Sequence, residues 1–215
     1  VLVLLLAGGR AMGVEDPATG TFLLNLGLSL AAGTAQVLTL LLAARQFPEE
    51  VENRTLYPLL ARPVGRTEIL LGKWGGCLLA GAGMYAVMVL AVFLLVPRLE
   101  FYDPRTGVQM VVLQGLGLAT VASWSMAISL VLPRGPAMLV SGVLVFAAGP
   151  VMRWGSGICP VRLLPEPARL NLVLRYTDGM GPLSLGELLL LVASAALWIL
   201  LGLAAGSWLL RRKAL

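Results

Sequence analysis

The residues able to do chemistry in this chain are few, and their longest concentration is one run. That run is residues 45–73, RQFPEEVENRTLYPLLARPVGRTEILLGK. It holds four glutamates and five basic residues in a chain that is 58% hydrophobic and only 13% charged. A soluble domain carries about 25% charged residues. There is no histidine, which removes the usual imidazole base and the commonest transition-metal ligand. Cys77 and Cys159 belong to no metal-binding spacing. The stretch from Gly65 to Trp74 has the look of a phosphate loop, but its glycines stand too far apart. Trp74 also occupies the place of the required Ser or Thr. The chain therefore carries no nucleotide site of its own by this reading, and no cofactor or metal is expected on it. Asn53-Arg54-Thr55 matches the glycosylation triplet by chance, because the run is expected inside the cell.

The elements that position this run are apolar and long. Four blocks, 22–44, 75–96, 108–132 and 188–210, contain no Asp, Glu, Lys or Arg. About 20 apolar residues span the ~30 Å hydrocarbon core as a helix. Lipid offers the backbone no hydrogen bonds, so these blocks are predicted to be α-helices. They lack the dyad alternation of a barrel. Residues 137–152 form a shorter block, about 24 Å as a helix, read as a span with a re-entrant hairpin as alternative. Residues 1–7 are read as the end of a partial first span. The fold class is all-α integral membrane: a six-helix transmembrane domain over 1–215, first span truncated, with a loop at 153–186 before the last span.

Basic residues near span ends set orientation. Placing 45–73 inside puts nine of the sixteen basic residues there, with only Glu49, Glu50, Glu52 and Glu68 as acids; the other side balances to zero. Arg211-Arg212-Lys213 anchors the C-terminus on the same side. Cys77 and Cys159 then fall at opposite faces, roughly 20 Å or more apart and out of disulfide range.

No carboxylate lies within a span, which argues against a proton-coupled pump or an intramembrane hydrolase. The uncharged polar residues in spans are Asn25, Ser29, Thr34, Gln36 and Thr39, then Gln114, Thr120, Ser123, Ser125 and Ser129. Their role is read as helix-to-helix hydrogen bonding, with a lightly polar translocation path as the alternative. Gly72/Gly76 and Gly202/Gly206 are GxxxG pairs, a pattern that permits close helix approach.

Within the charged run, Pro48 suits the first turn of a new helix, and Glu49, Glu50 and Glu52 complement its N-terminus. Glu50 and Arg54 stand four apart and are placed to pair. Val51, Thr55, Leu56, Leu59 and Leu60 make an apolar stripe, and Arg62-Pro63 ends the helix. Arg66-Thr67-Glu68 then leads into the next span. A surface helix lying among lipid headgroups would show the same pattern.

The run PEEVENRTLYPLLARPVGRTEILLGKW resembles the first cytoplasmic loop of ABC exporter permeases of the type-2 superfamily. It is most similar to the multicopper-enzyme-maturation (NosY-like) kind. The residues that carry the resemblance are Glu50, Glu52, Arg54, Thr55, Leu59, Leu60, Arg62, Pro63, Val64, Arg66, Gly72 and Lys73. Asn53 departs from the Ser or Gly common there. The resemblance implies a coupling helix that docks on a separate ABC ATPase subunit through Glu49, Glu50, Glu52, Arg54, Thr55, Leu56, Leu59, Leu60, Arg62, Pro63 and Arg66. It implies ATP-Mg bound by that partner, a second permease copy or paralogue, and short extracellular helices within 161–181. The function expected is that of a non-catalytic, multi-pass subunit of a prokaryotic inner-membrane exporter, with no nucleic-acid partner and membrane lipid around it. The alternatives are a stand-alone scaffold or channel whose loop is an interfacial helix, and a haem-exporter-type permease.

Overall fold

A computed structural model describes residues 17–53, 65–95, 103–154 and 170–212 of the chain. Among them the chain is helical and contains no strand. Six helices occur in order: α1 (Pro17–Glu52), α2 (Arg66–Leu95), α3 (Pro104–Ser129), α4 (Arg134–Trp154), α5 (Val173–Thr177) and α6 (Leu185–Arg212). Four of them, α1, α2, α3 and α6, are long and apolar enough to cross a membrane. The chain is an all-α membrane protein. The partial span at 1–7, residues 54–64 and Cys159 lie outside the described residues.

The helices overrun the apolar blocks. α1 has 36 residues and α2 has 30, whereas about 20 cross the hydrocarbon. A charge-free block marks lipid thickness; a helix continues beyond it wherever the next residues still form backbone bonds. The stops are local. Asp103 caps α3, its carboxylate accepting from Arg105 N at 3.1 Å, with Pro104 in the first turn. Ser184 and Glu187 form a reciprocal capping box at the start of α6. Glu68 accepts from Gly65 N at 3.2 Å before α2. α4 runs unbroken for 21 residues, about 31 Å, so the re-entrant hairpin is not formed.

α3 lies at the centre and touches every other helix; α1 packs on α2, α3, α4 and α5, and α6 leans on α3 and α2. Two features make the α3–α6 contact close. A Cβ on Gly202 would stand 2.7 Å from Ser123 Oγ and 3.2 Å from its backbone carbon, and Gly206 faces Leu70 and Ala127. Trp124 donates its indole N–H to Trp198 O at 3.2 Å, with the two rings 5.6 Å apart. Gly72 and Gly76 have nothing within 4 Å of an added Cβ. The two GxxxG pairs thus differ: one packs a helix within this chain, the other does not.

The in-span hydroxyls mostly bond their own helix. Thr34 donates to Leu30 O, Thr39 to Ala35 O, Thr120 to Leu116 O, Ser123 to Thr120 O and Ser129 to Met126 O. The expected helix-to-helix bonding by Ser and Thr is corrected by these contacts. A hydroxyl one bond from the backbone reaches the carbonyl a turn back more readily than a neighbouring helix. Longer side chains do the crossing: Gln114 reaches Ala32 O at 3.4 Å and Trp74 reaches Ala119 O at 3.1 Å.

The charged end of the bundle as candidate functional site

Helices α1, α2, α3 and α6 converge at one end on a shared apolar cluster. Phe47, Leu70, Cys77, Met126, Leu130 and Leu210 are buried there, with Trp74 and Leu209 against them. Asn53, after α1, and Gly65, before α2, stand at this end.

Pro48 does not begin a new helix. α1 passes through it and continues to Glu52, which corrects the expected helix start. Proline lacks the N–H that would bond Ala44 O, and alone that breaks or kinks a helix. Three contacts flank the proline in the continuous helix. Phe47 is buried in the cluster. Arg45 pairs with Glu49 one turn on, at 3.4 Å. Asn53 N donates to Glu49 O at 3.0 Å.

Glu50 reaches across to α2 and pairs with Lys73. This partner is not visible from helical spacing, which favours Arg54, and Arg54 lies outside the described residues. The Lys73 side chain is 12% exposed and that of Glu50 27%. Lys73 Nζ also stands 4.9 Å from the centre of the Phe47 ring, within cation–π range. Arg66, expected to face a partner, donates from Nη1 to Leu210 O at 3.1 Å and to Arg211 O at 3.4 Å. A cation at a helix C-terminus complements the negative end of the backbone dipole. Arg66 therefore ties the beginning of α2 to the end of α6. Glu52 is exposed. The remaining coupling candidates, Thr55, Leu56, Leu59, Leu60, Arg62 and Pro63, lie with Arg54 outside the described residues.

Lys73 and Phe47 are the residues that sequence reasoning missed as site members. The signal for Lys73 was present in the Gly72-Lys73-Trp74 boundary of the charged run. No spacing rule joins it to a glutamate 23 positions away.

The opposite end differs. Gln109 holds Leu183 at both backbone atoms, donating to its O at 3.3 Å and accepting from its N at 2.8 Å. Gly107 lies against the Tyr176 ring. The short helix α5 falls within the region expected to hold short helices. Asn25 and Ser29 of α1 line an open groove of about 440 Å³ with Phe22, Leu26, Asn171 and Val173.

These features define a polytopic helical membrane protein in which charged side chains at one end are built into links between helices. The chain belongs to the ABC-2 family: the family described as ABC-2 family transporter protein matches residues 12–213. A search of the curated proteins finds no match. The protein is thus a multi-pass membrane subunit of an ABC transporter, a class of subunit that is generally non-catalytic and normally works with an ATPase subunit.

Proposed function

We propose that this subunit couples ATP hydrolysis on a separate ATPase to export of a substrate across the inner membrane. ATP and Mg are bound by the partner. Residues 45–73 form the contact with that ATPase, on the cytoplasmic side with the C-terminus, and two permease copies or a permease and its paralogue form the transporter. Within the family, the loop motif favours the multicopper-enzyme-maturation kind. The observation that carries the reading is the charged end itself: Asn53 and Gly65, which flank the segment, adjoin helices packed on a cluster that α1, α2, α3 and α6 share. Whatever presses on the segment reaches the whole bundle. A loop serving only as an interfacial anchor needs no such link.

The experiment is co-purification with the ATPase. Leu59→Asp buries an unpaired charge in the docked interface, and Arg54→Glu reverses the charge presented to the partner. Both lie outside every span, so insertion is retained. Both are expected to abolish association with the ATPase and stimulation of its hydrolysis. Two inserted variants with full association would leave the interfacial-anchor reading in its place.

A further inference from the structure

We propose that Lys73, held by Glu50 and Phe47, is a positioning residue that locks α1 and α2 into one rigid lever above segment 53–65. Force on the segment then moves both helices together. The inference rests on the coupling reading and adds to it the residue that transmits the motion.

Two rods joined at one point swing about it; two separated contacts fix their angle. α1 and α2 have both. The first is the Glu50–Lys73 pair. The second is at Gly81, where an added Cβ would fall inside the envelope of Thr39 Oγ1, so the backbones approach closely. Lys73 and Gly81 are separated by about 12 Å along α2 at 1.5 Å per residue. Near the segment α1 and α2 also share the packing of Phe47, Leu70, Trp74 and Cys77; among the described ion pairs, Glu50–Lys73 is the one that joins them, and without it packing alone holds these ends about the Gly81–Thr39 crossing.

The pair also spans the weakest turn of α1. Pro48 withholds one backbone hydrogen bond, and Glu50 lies directly after it. The segment side of α1 is therefore the part most ready to bend, and it is the part that Lys73 holds. The chemistry suits a strut. A half-buried ion pair against an aromatic face keeps its geometry where an exposed pair does not. Arg45–Glu49 is the internal contrast: its side chains are 40% and 39% exposed, and it joins one helix to itself. It stiffens α1 but links nothing.

The test has two readouts on one set of variants: Lys73→Met, Lys73→Arg, and the exchange Glu50→Lys with Lys73→Glu. In a background with Cys77→Ser and Cys159→Ser, spin labels are placed at Glu52→Cys on α1 and Thr67→Cys on α2 of the permease alone. The unaltered pair is expected to give a narrow distance distribution, Lys73→Met a broad one, and Lys73→Arg and the exchange narrow ones again. In the assembled transporter, Lys73→Met is expected to lose about tenfold in hydrolysis stimulated per bound ATPase, within the usual range of coupling free energies. Lys73→Arg and the exchange recover it. A narrow distribution or unchanged stimulation with Lys73→Met overturns the proposal. So does an exchange that fails to restore either readout, because a link through charge must survive reversal of both partners. If the unaltered permease neither binds nor stimulates the ATPase, the coupling reading fails, and the distance measurement still decides the lock.

Discussion

Among the described residues, the two ends of the bundle use their polar groups differently. At the charged end, side chains reach from one helix to another: Glu50 to Lys73 between α1 and α2, Arg66 to the last carbonyls of α6. At the opposite end, charge is spent on local backbone. Asp103 caps its own helix, Glu187 closes a box with Ser184, and Arg175 donates to Gly181 O six residues on. The long-range polar link there is the neutral Gln109–Leu183 pair. Local caps hold an element in shape and leave its neighbours free. Cross-helix links carry displacement from one element to the next. The charged end is thus suited to receive a push, and the other end to hold a loop over a lightly polar groove.

Both ends depend on the crossing of α6 over α3, and the largest effect is expected there. Gly202→Ala places a methyl against Ser123 and its backbone; overpacking of this kind costs about 1–3 kcal/mol. Gly76→Ala meets open space and is expected within about 0.5 kcal/mol of the parent. Thermal unfolding in detergent compares the two. Equal midpoints would show that α6 does not pack on α3 as described.

Gln109→Leu sharpens the contrast between ends. It leaves the N–H and the carbonyl of Leu183 without their side-chain partner, at a cost of about 1–2 kcal/mol. The midpoint should fall while ATPase association stays at the level of the parent. Lost association would mean that the opposite end also belongs to the coupling path.

The smallest effect is expected from Arg66→Ala, about 0.5–1 kcal/mol for a cation at a helix C-terminus. Its signature is local: faster amide exchange in the last turn of α6, with α3 unchanged. Unaltered exchange at Leu209–Arg211 would remove Arg66 from the link between α2 and α6.

Much of the fold was legible because lipid imposes a simple rule. A block without charge and about 20 residues long must satisfy its own backbone bonds, and the four longest blocks are helices for that reason. The position of the charged run between two such blocks was legible in the same way. Helix ends were not: Arg45–Glu52 reads as a break followed by a new helix beginning at Pro48, yet α1 runs through it unbroken, with Phe47 packed and Glu50 paired on either side. The two GxxxG pairs are identical as patterns. Gly202 and Gly206 pack in the chain while Gly72 and Gly76 do not, since the face a helix turns to its neighbour depends on where the neighbour stands.

By itself, then, the sequence determined that the four long charge-free blocks are helical, because that follows from composition over one bilayer thickness. It also determined that Glu50, Arg66 and Lys73 stand near the ends of helices. Only the tertiary structure decided their partners. Lys73 meets Glu50 across 23 positions and Arg66 meets Leu210 across 144. Each contact depends on the axial register and rotation of one helix against another, and those are set by the packing of all their side chains at once.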